Sequence, residues 1–358
     1  MNDSPVLCIG LSFIFQFLEE EALPETVLDW GINFILQLQA ALPGWTIGPL
    51  NFFTFLGYEE WFLLMMPFVF WCVEAQLGLR LAVYLVLAGY LTAILKVAVH
   101  DPRPYWVDPR VLLLAEGDPY FGIPSGHALI GAVVWGSLAA AVRKPWAWIA
   151  AAVIVFLIGF SRIALGAHFP TDVIAGWAIG ALVLFLALSN EIRIVTAYRR
   201  LSFSRQIGLL FGATVLLILA GFWLNRFVEA RYVVPEAWVA TALDAGHGGE
   251  IEPYLREVYI TNAAVLFGAV TGYTWLRRRG GFVAGGPWKH RILTYVTGMA
   301  IAIGIWAGLD AVFAAIADDA TLLGIVLRFV RYSLIGFWVG GLAPRTFIRL
   351  GWAGGKGE

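Results

Sequence analysis

Nine runs of apolar residues constrain this chain more than anything else in it. They lie near 61–75, 79–99, 126–142, 146–165, 171–189, 207–226, 258–276, 293–315 and 322–343. Runs of this length cross or nearly cross a bilayer as helices. The expected fold class is therefore an all-α polytopic membrane protein of about nine spans. Composition agrees: 60% of residues are hydrophobic, 14% are charged and the mean hydropathy is +0.77, against about 25% charged in soluble domains. A formal net charge of −1 argues against a nucleic-acid partner. Sixteen Trp and twelve Tyr suit interfacial belts. Cys8 and Cys72 give no disulfide framework, and Cys72, inside an apolar run, reads as inert core.

The segment 1–60 contains no Lys or Arg. Its first apolar stretch lacks a basic flank and runs into Glu19-Glu20-Glu21, so it does not read as a secretory signal. Over 27–42, Asp29, Asn33 and Gln37 recur at helical spacing among apolar residues. We expect an amphipathic helix lying in the interface, with a short spanning helix as the alternative. A core at 61–190 follows, then a basic cytoplasmic loop at 191–206. Further spans occupy 207–343 with an outward loop at 227–257, and 344–358 forms a cytoplasmic tail. Gly176-x3-Gly180 and Gly336-x3-Gly340 fit close helix contacts in lipid.

Charge orients the bundle. With nine spans, most of the 24 Lys and Arg fall on one side, which should be cytoplasmic. The N-terminus and the loops after the second, before the third and after the fourth runs then face outward, and the C-terminus faces inward.

Three polar blocks sit at those outward ends: Lys96-x6-Arg103-Pro104, Pro124-Ser125-Gly126-His127, and Ser161-Arg162-x5-His168-x3-Asp172. Ionisable groups at a membrane boundary are costly unless they serve a purpose. Three cations and two histidines gathered this way point to an anion site, specifically one for phosphate. Arg103 and Arg162 offer planar forks to non-bridging oxygens, and Lys96 adds a point charge. Pro104 should hold Arg103 extended. Ser125 and Gly126 open a helix whose backbone N–H groups and dipole favour an anion.

The three blocks resemble the signature of the type 2 phosphatidic acid phosphatase superfamily, every defining position of which is present in order across roughly a third of the chain. The resemblance implies a six-helix phosphatase core with extra C-terminal transmembrane helices. It implies that His168 attacks phosphorus to form a phosphohistidine, that Asp172 orients and charges its ring, and that His127 protonates the leaving group and then activates water. Lys96, Arg103, Ser125, Gly126 and Arg162 would bind the phosphate. No cofactor or metal is expected, since no carboxylate cluster lies near the histidines and the cations would repel a metal ion.

The expected activity is hydrolysis of a lipid phosphate or diphosphate on the outer face of a membrane, with a bacterial plasma membrane as the default location. The nine-span layout and Arg103-Pro-Tyr-Trp106 also resemble the glucose-6-phosphatase branch, so a sugar phosphatase is the second reading. A shorter His127-to-Ser161 interval and Asp172 itself follow the lipid-phosphatase pattern instead. A phosphotransferase or a lipid or phosphate transporter is the reading from another class. His100 and Asp101 read as loop polar groups. Tyr105 and Arg110 are weaker candidates for the entrance to the site. His247 reads as loop punctuation, and His290 as remote from catalysis. The outward loop around 236–250 is a candidate lid that would shape substrate choice, with plain connection as the alternative.

Overall fold

The computed structural model describes residues 24–244, 251–254 and 256–355. All helices below are named in chain order. α1 is Glu25–Ala41, α2 Ile47–Phe55, α3 Glu59–Phe68, α4 Ala75–Val99 and the short α5 Pro104–Val107. α6 is Gly126–Val142, α7 Pro145–Ala164, α8 Pro170–Arg200, α9 Phe203–Glu229 and α10 Glu236–Asp244. α11 is Arg256–Arg277, α12 Trp288–Ala314, α13 Leu322–Phe337 and α14 Ala343–Arg349. Wider helical turns at Val69–Val73 and Trp338–Leu342 extend α3 and α13. Among the described residues, extended pairing is limited to one isolated bridge between Val283 and Gly354.

Each apolar run is helical. Six helical segments among the described residues are long and apolar enough to cross a bilayer, and the pair 44–55 and 59–73, bent by 52°, makes a seventh if it counts as one span. α6 is apolar but shorter. α11 carries Thr261, Asn262, Thr271 and Thr274, and burial explains them. It lies inside the C-terminal bundle against α4, α9 and α13, where Ala263, Ala264, Gly268 and Gly272 are buried. A helix shielded from lipid by its neighbours does not need a lipid-soluble surface.

Small residues set the closest contacts. A Cβ on Gly176 would lie 2.7 Å from the Ser125 carbonyl, and one on Gly180 2.6 Å from that of Leu129. α8 therefore presses directly on the first turns of α6. Gly336 makes the equivalent approach to Ala269 and Val265 of α11. The two cations inside the last apolar run are neutralised: Arg328 pairs with Glu257 at 2.8 Å and with Asp319, and Arg331 pairs with Asp310.

The basic stretch 191–206 is not a loop, as sequence reading suggested. α8 continues to Arg200, and only Leu201 and Ser202 separate it from α9. Residues 191–200 contain neither Gly nor Pro, so nothing stops the helix where its hydrophobicity ends. Glu191 ties this extension to α4 through Arg80 Nε at 2.8 Å and Tyr84 Oη at 3.3 Å. α1 exposes the stripe of Asp29, Asn33 and Gln37. Its opposite face packs Leu28, Ile32 and Ile35 against Val111, Ile163, Phe169 and Val173. The stretch after Phe227 contains α10, which packs on α5.

Candidate active site

The topology brings the three polar blocks to one end of the bundle. α4 ends there, α6 begins there, and the turn between α7 and α8 lies there. α4 stops at His100, which takes the left-handed conformation (φ 46°) and returns its N–H to the Lys96 carbonyl at 2.9 Å. Three residues later Arg103 is extended (φ −100°, ψ 154°), as the following Pro104 requires. This places its guanidinium, 0% exposed, beneath the loop 114–122.

Arg103 is held on every side. Nε donates to the Tyr120 carbonyl, Nη1 to that of Ala167 at 3.1 Å, and Nη2 to that of Phe121 at 3.4 Å. Nη2 also forms a 2.6 Å ion pair with Asp118. Lys96, likewise buried, donates to the Phe121 carbonyl. Burial alone would raise the Asp118 carboxyl, but Arg103, Lys96 and Arg162 outweigh it and hold it down at about 2.

The third block is a tight turn at the end of α7. Ala167 and His168 both return their N–H to the Arg162 carbonyl, at 2.9 and 3.2 Å, with Gly166 left-handed between (φ 74°). One carboxylate oxygen then does two jobs. Asp172 Oδ2 accepts the Phe169 backbone N–H at 3.0 Å, capping α8, and lies 2.9 Å from His168 Nδ1. With Nδ1–H donating to the carboxylate, Nε2 carries the lone pair. Nε2 sits 3.4 Å from Arg103 Nη1. Burial and the charges of Arg103 and Lys96 hold the His168 imidazole well below its ordinary range, so it stays neutral.

The second block is tied to the third, since the Ser125 N–H donates to the Asp172 carbonyl at 2.9 Å. Ser125 precedes the first turn of α6, and His127 stands edge-on to Tyr58 with ring centroids 4.9 Å apart. A cavity of about 480 Å³ opens over this cluster, lined by Tyr58, Lys96, Asp118, Gly126, His127 and Arg162 among others. Several buried polar atoms of the cluster lack a protein partner: Ser125 Oγ, His127 Nε2, Asp172 Oδ1, and Nε and Nη1 of Arg162. Buried polar atoms are costly when unpaired, and the Ser125, His127 and Arg162 groups among these can donate to a polyanionic oxygen ligand. No cluster of His, Cys, Asp or Glu suited to a metal ion is present among the described residues.

All eight residues singled out from the sequence meet at this end. Lys96, Gly126, His127 and Arg162 line the cavity, whereas Arg103, Ser125, His168 and Asp172 are buried and do not. The lesser candidates do not line it either. Arg110 is exposed and pairs with Asp108 at 2.6 Å. Tyr105 is buried and bonds the Asp118 backbone. His100 and Asp101, read as loop polar groups, are both 2% exposed, and the His100 ring lies 4.1 Å from that of Tyr232. His290 sits on α12 and does not line the cavity, and His247 lies outside the described residues. Asp118 and Tyr58 were missed, because neither stands in a motif or at a telling interval. The segment after Phe227 covers the first block: Tyr232 and Trp238 pack with Tyr105, Trp106 and Phe121. Beyond it, a second cavity of about 600 Å³ shares Tyr120 and Val258 with the first.

Known proteins share these features. The family model described as "PAP2 superfamily" matches residues 77–193, and "PAP2 superfamily phosphatase, transmembrane extension" matches 260–355. The chain is 36% identical over 118 residues to an undecaprenyl-diphosphatase of Sulfolobus acidocaldarius, covering 32% of this chain and 56% of that protein. It is 27% identical over 218 residues to glucose-6-phosphatase 3 of Bos taurus, covering 54% of this chain and 61% of that one. The crystal structure of a PAP2-type phosphatidylglycerolphosphate phosphatase from Bacillus subtilis aligns with a TM-score of 0.43 at 24% identity, over 52% of this chain and 96% of that one. The chain thus spans roughly a third to three fifths of the length of the curated relatives it matches. With two matched regions, the first of which contains the three polar blocks, this chain is an integral membrane member of the PAP2 superfamily.

Proposed function

We propose that the protein is a membrane phosphatase that hydrolyses a lipid phosphate or diphosphate through a phosphohistidine, without a metal ion. The observation that carries this is the His168 ring. Asp172 fixes its Nδ1 and leaves the lone pair on Nε2, which lies 3.4 Å from Arg103 Nη1 within the cluster whose Lys96, His127 and Arg162 line the cavity. A neutral, oriented imidazole is a nucleophile, and a binding protein for phosphate has no need of one.

The steps follow from the groups present. Lys96, Arg103 and Arg162 neutralise the non-bridging oxygens, as a metal ion would elsewhere. His168 Nε2 attacks phosphorus and the P–O ester bond breaks. The departing alkoxide takes a proton from His127, whose protonated form the bound anion favours. Water then attacks the phosphohistidine, returning a proton to His127 while the P–N bond breaks and inorganic phosphate forms. Asp172 stabilises the charge that develops on His168.

A lipid substrate is favoured because the site lies at the end of a helix bundle whose outer surface is apolar, so an acyl or prenyl tail can stay in the bilayer. The named relatives include enzymes of undecaprenyl diphosphate, phosphatidylglycerophosphate and sphingosine 1-phosphate. The similarity to glucose-6-phosphatase 3, which spans more of the chain, keeps a sugar phosphate as the second reading. By the charge bias the site faces away from the cytoplasm. Phosphate release by detergent-purified protein, over phosphatidic acid, phosphatidylglycerophosphate, undecaprenyl diphosphate and glucose 6-phosphate, tests the proposal, with His168→Ala as control. Preference for one lipid is the expected result. Equal turnover of glucose 6-phosphate moves the protein to the sugar branch, and no His168-dependent release from any of them refutes it.

A further inference from the structure

Asp118 has no part in the steps above, yet its carboxylate occupies the edge of Arg103 that a phosphoryl group needs. We propose that Asp118 is a built-in stand-in for the substrate phosphoryl group, which holds Arg103 until it is displaced and thereby keeps weakly held anions, above all phosphodiester lipid headgroups, out of the site. The inference rests on the phosphatase reading for its biological meaning.

The first observation is how fully Arg103 is engaged. Its nitrogens reach the carbonyls of Tyr120, Ala167 and Phe121, the ring of His168, and the Asp118 carboxylate. The carbonyls belong to the fixed frame of the turn and loop. Of these partners, only the Asp118 side chain is both anionic and able to leave by rotating. A phosphate that takes the Nη2 edge of Arg103 must take it from Asp118, since two anions cannot share that edge at contact distance.

The second observation is how Asp118 is delivered there. The Tyr105 hydroxyl donates to the Asp118 carbonyl at 2.8 Å and accepts the Asp118 N–H at 3.2 Å. Tyr105 is itself buried among Trp106, Ala167 and Phe121. The backbone of Asp118 is thus clamped from both sides by one buried hydroxyl, an arrangement a casual loop contact does not have. The carboxylate lies on the wall of the cavity that also exposes Lys96, His127 and Arg162. It is partly accessible from that cavity, with a side-chain exposure of 29%, so rotation into open space is available without moving the loop.

The third step is physical. Displacing Asp118 costs every anion the same free energy, so it acts as a threshold and leaves the ranking of ligands unchanged. A phosphate monoester or a diphosphate carries two or more charges and gains from all three cations, so it retains useful affinity. A phosphodiester carries one charge, and its bulk concentration in a bilayer would otherwise fill a site of this charge by mass action. The threshold thus empties the resting site of singly charged headgroups, while a multiply charged substrate held well below its working concentration still fills it.

Calorimetric titration of the full-length protein in a non-ionic detergent, with inorganic phosphate and separately with dimethyl phosphate, tests this. Loss of a competing charge-assisted hydrogen bond is worth roughly tenfold or more in an equilibrium constant. Asp118→Asn should therefore lower the dissociation constant for both anions by about tenfold. At substrate concentrations below KM, micelles doped with phosphatidylglycerol should inhibit turnover by the variant much more than by the parent protein. Tyr105→Phe, which loosens the clamp and retains the carboxylate, should move both readouts in the same direction by less, and serves if Asp118→Asn fails to fold. Unchanged or weaker phosphate binding in both variants would overturn the proposal and leave Asp118 as a positioning group for Arg103. The two readings fail separately. Tighter phosphate binding without hydrolysis of any substrate refutes the phosphatase alone, whereas His168-dependent turnover with unchanged phosphate affinity refutes the stand-in alone.

Discussion

Asp172→Asn is the substitution that separates the charge behind the nucleophile from its mere presence. Asp172 Oδ2 serves two donors, the Phe169 N–H at 3.0 Å and His168 Nδ1 at 2.9 Å. An asparagine amide oxygen in the Oδ2 place still accepts from both, and its nitrogen takes the place of Oδ1, so the lone pair stays on Nε2. What is lost is the negative charge that balances the imidazolium as the P–N bond forms. Where an amide in a His–carboxylate pair costs both tautomer and charge, the loss is about 10⁴ in rate, or about 5 kcal/mol of barrier. Here the charge alone is lost and Arg103 and Lys96 would still bind the phosphate, so we expect kcat to fall about 10²- to 10³-fold while KM changes less than about fivefold. The cap survives, so the thermal midpoint should fall by only a few degrees. Initial-rate phosphate release at saturating substrate, with a parallel unfolding scan, reads both. A kcat loss below tenfold in a folded variant would refute the assignment of His168 Nε2 as nucleophile.

Four further outcomes follow from the same geometry. Arg103→Lys strands the Tyr120 and Ala167 carbonyls and loses the fork; kcat/KM should drop at least 10²-fold, with a stability loss of about 1–3 kcal/mol per carbonyl left unpaired, read by denaturation. Gly176→Leu drives a side chain into the Ser125 carbonyl, 2.7 Å from its Cβ, so α8 must leave α6; overpacking of about 1–3 kcal/mol should come with a larger fractional loss of turnover, because Asp172 moves with α8. EDTA should leave turnover intact and vanadate should inhibit it, so EDTA sensitivity in a metal-depleted buffer would contradict the metal-free mechanism. Acid should also destabilise the fold. His168 is depressed below its ordinary value of 6.5, so the unfolded chain takes up a proton that the folded one refuses, and stability is lost as pH falls below about 6.5. Asp118, depressed from 3.8 to about 2, adds a second loss between those values. A midpoint flat between pH 7 and 5, unaltered in His168→Ala, would refute the first part.

Much of this was legible in the sequence because the physics was local. Apolar runs long enough for a bilayer are helices wherever they occur, and Pro104 fixes Arg103 from one position away. Alternation of helix direction brings Lys96, Ser125 and His168 to one end without any knowledge of packing. What escaped notice depends on partners distant in the chain. Asp118 looks like an ordinary loop acid until Tyr105 clamps its backbone and Arg103 meets its side chain. Tyr58 matters only because the break between α2 and α3 sets it against His127. His100 and Asp101 read as loop polar groups until the segment after Phe227, with Tyr232, folds over His100. The end of α8 was misjudged for the opposite reason: hydropathy stops near 189 but helix propensity does not, and Glu191 finds Arg80 on α4.

The most direct measurement is to quench the reaction with alkali within milliseconds of mixing the protein with a ³²P-labelled lipid phosphate and to map the label by mass spectrometry. Phosphate on His168, absent in His168→Ala and accumulating in His127→Ala, is the expected result. Steady turnover with no label on His168, or hydrolysis retained by His168→Ala, would contradict the phosphohistidine mechanism.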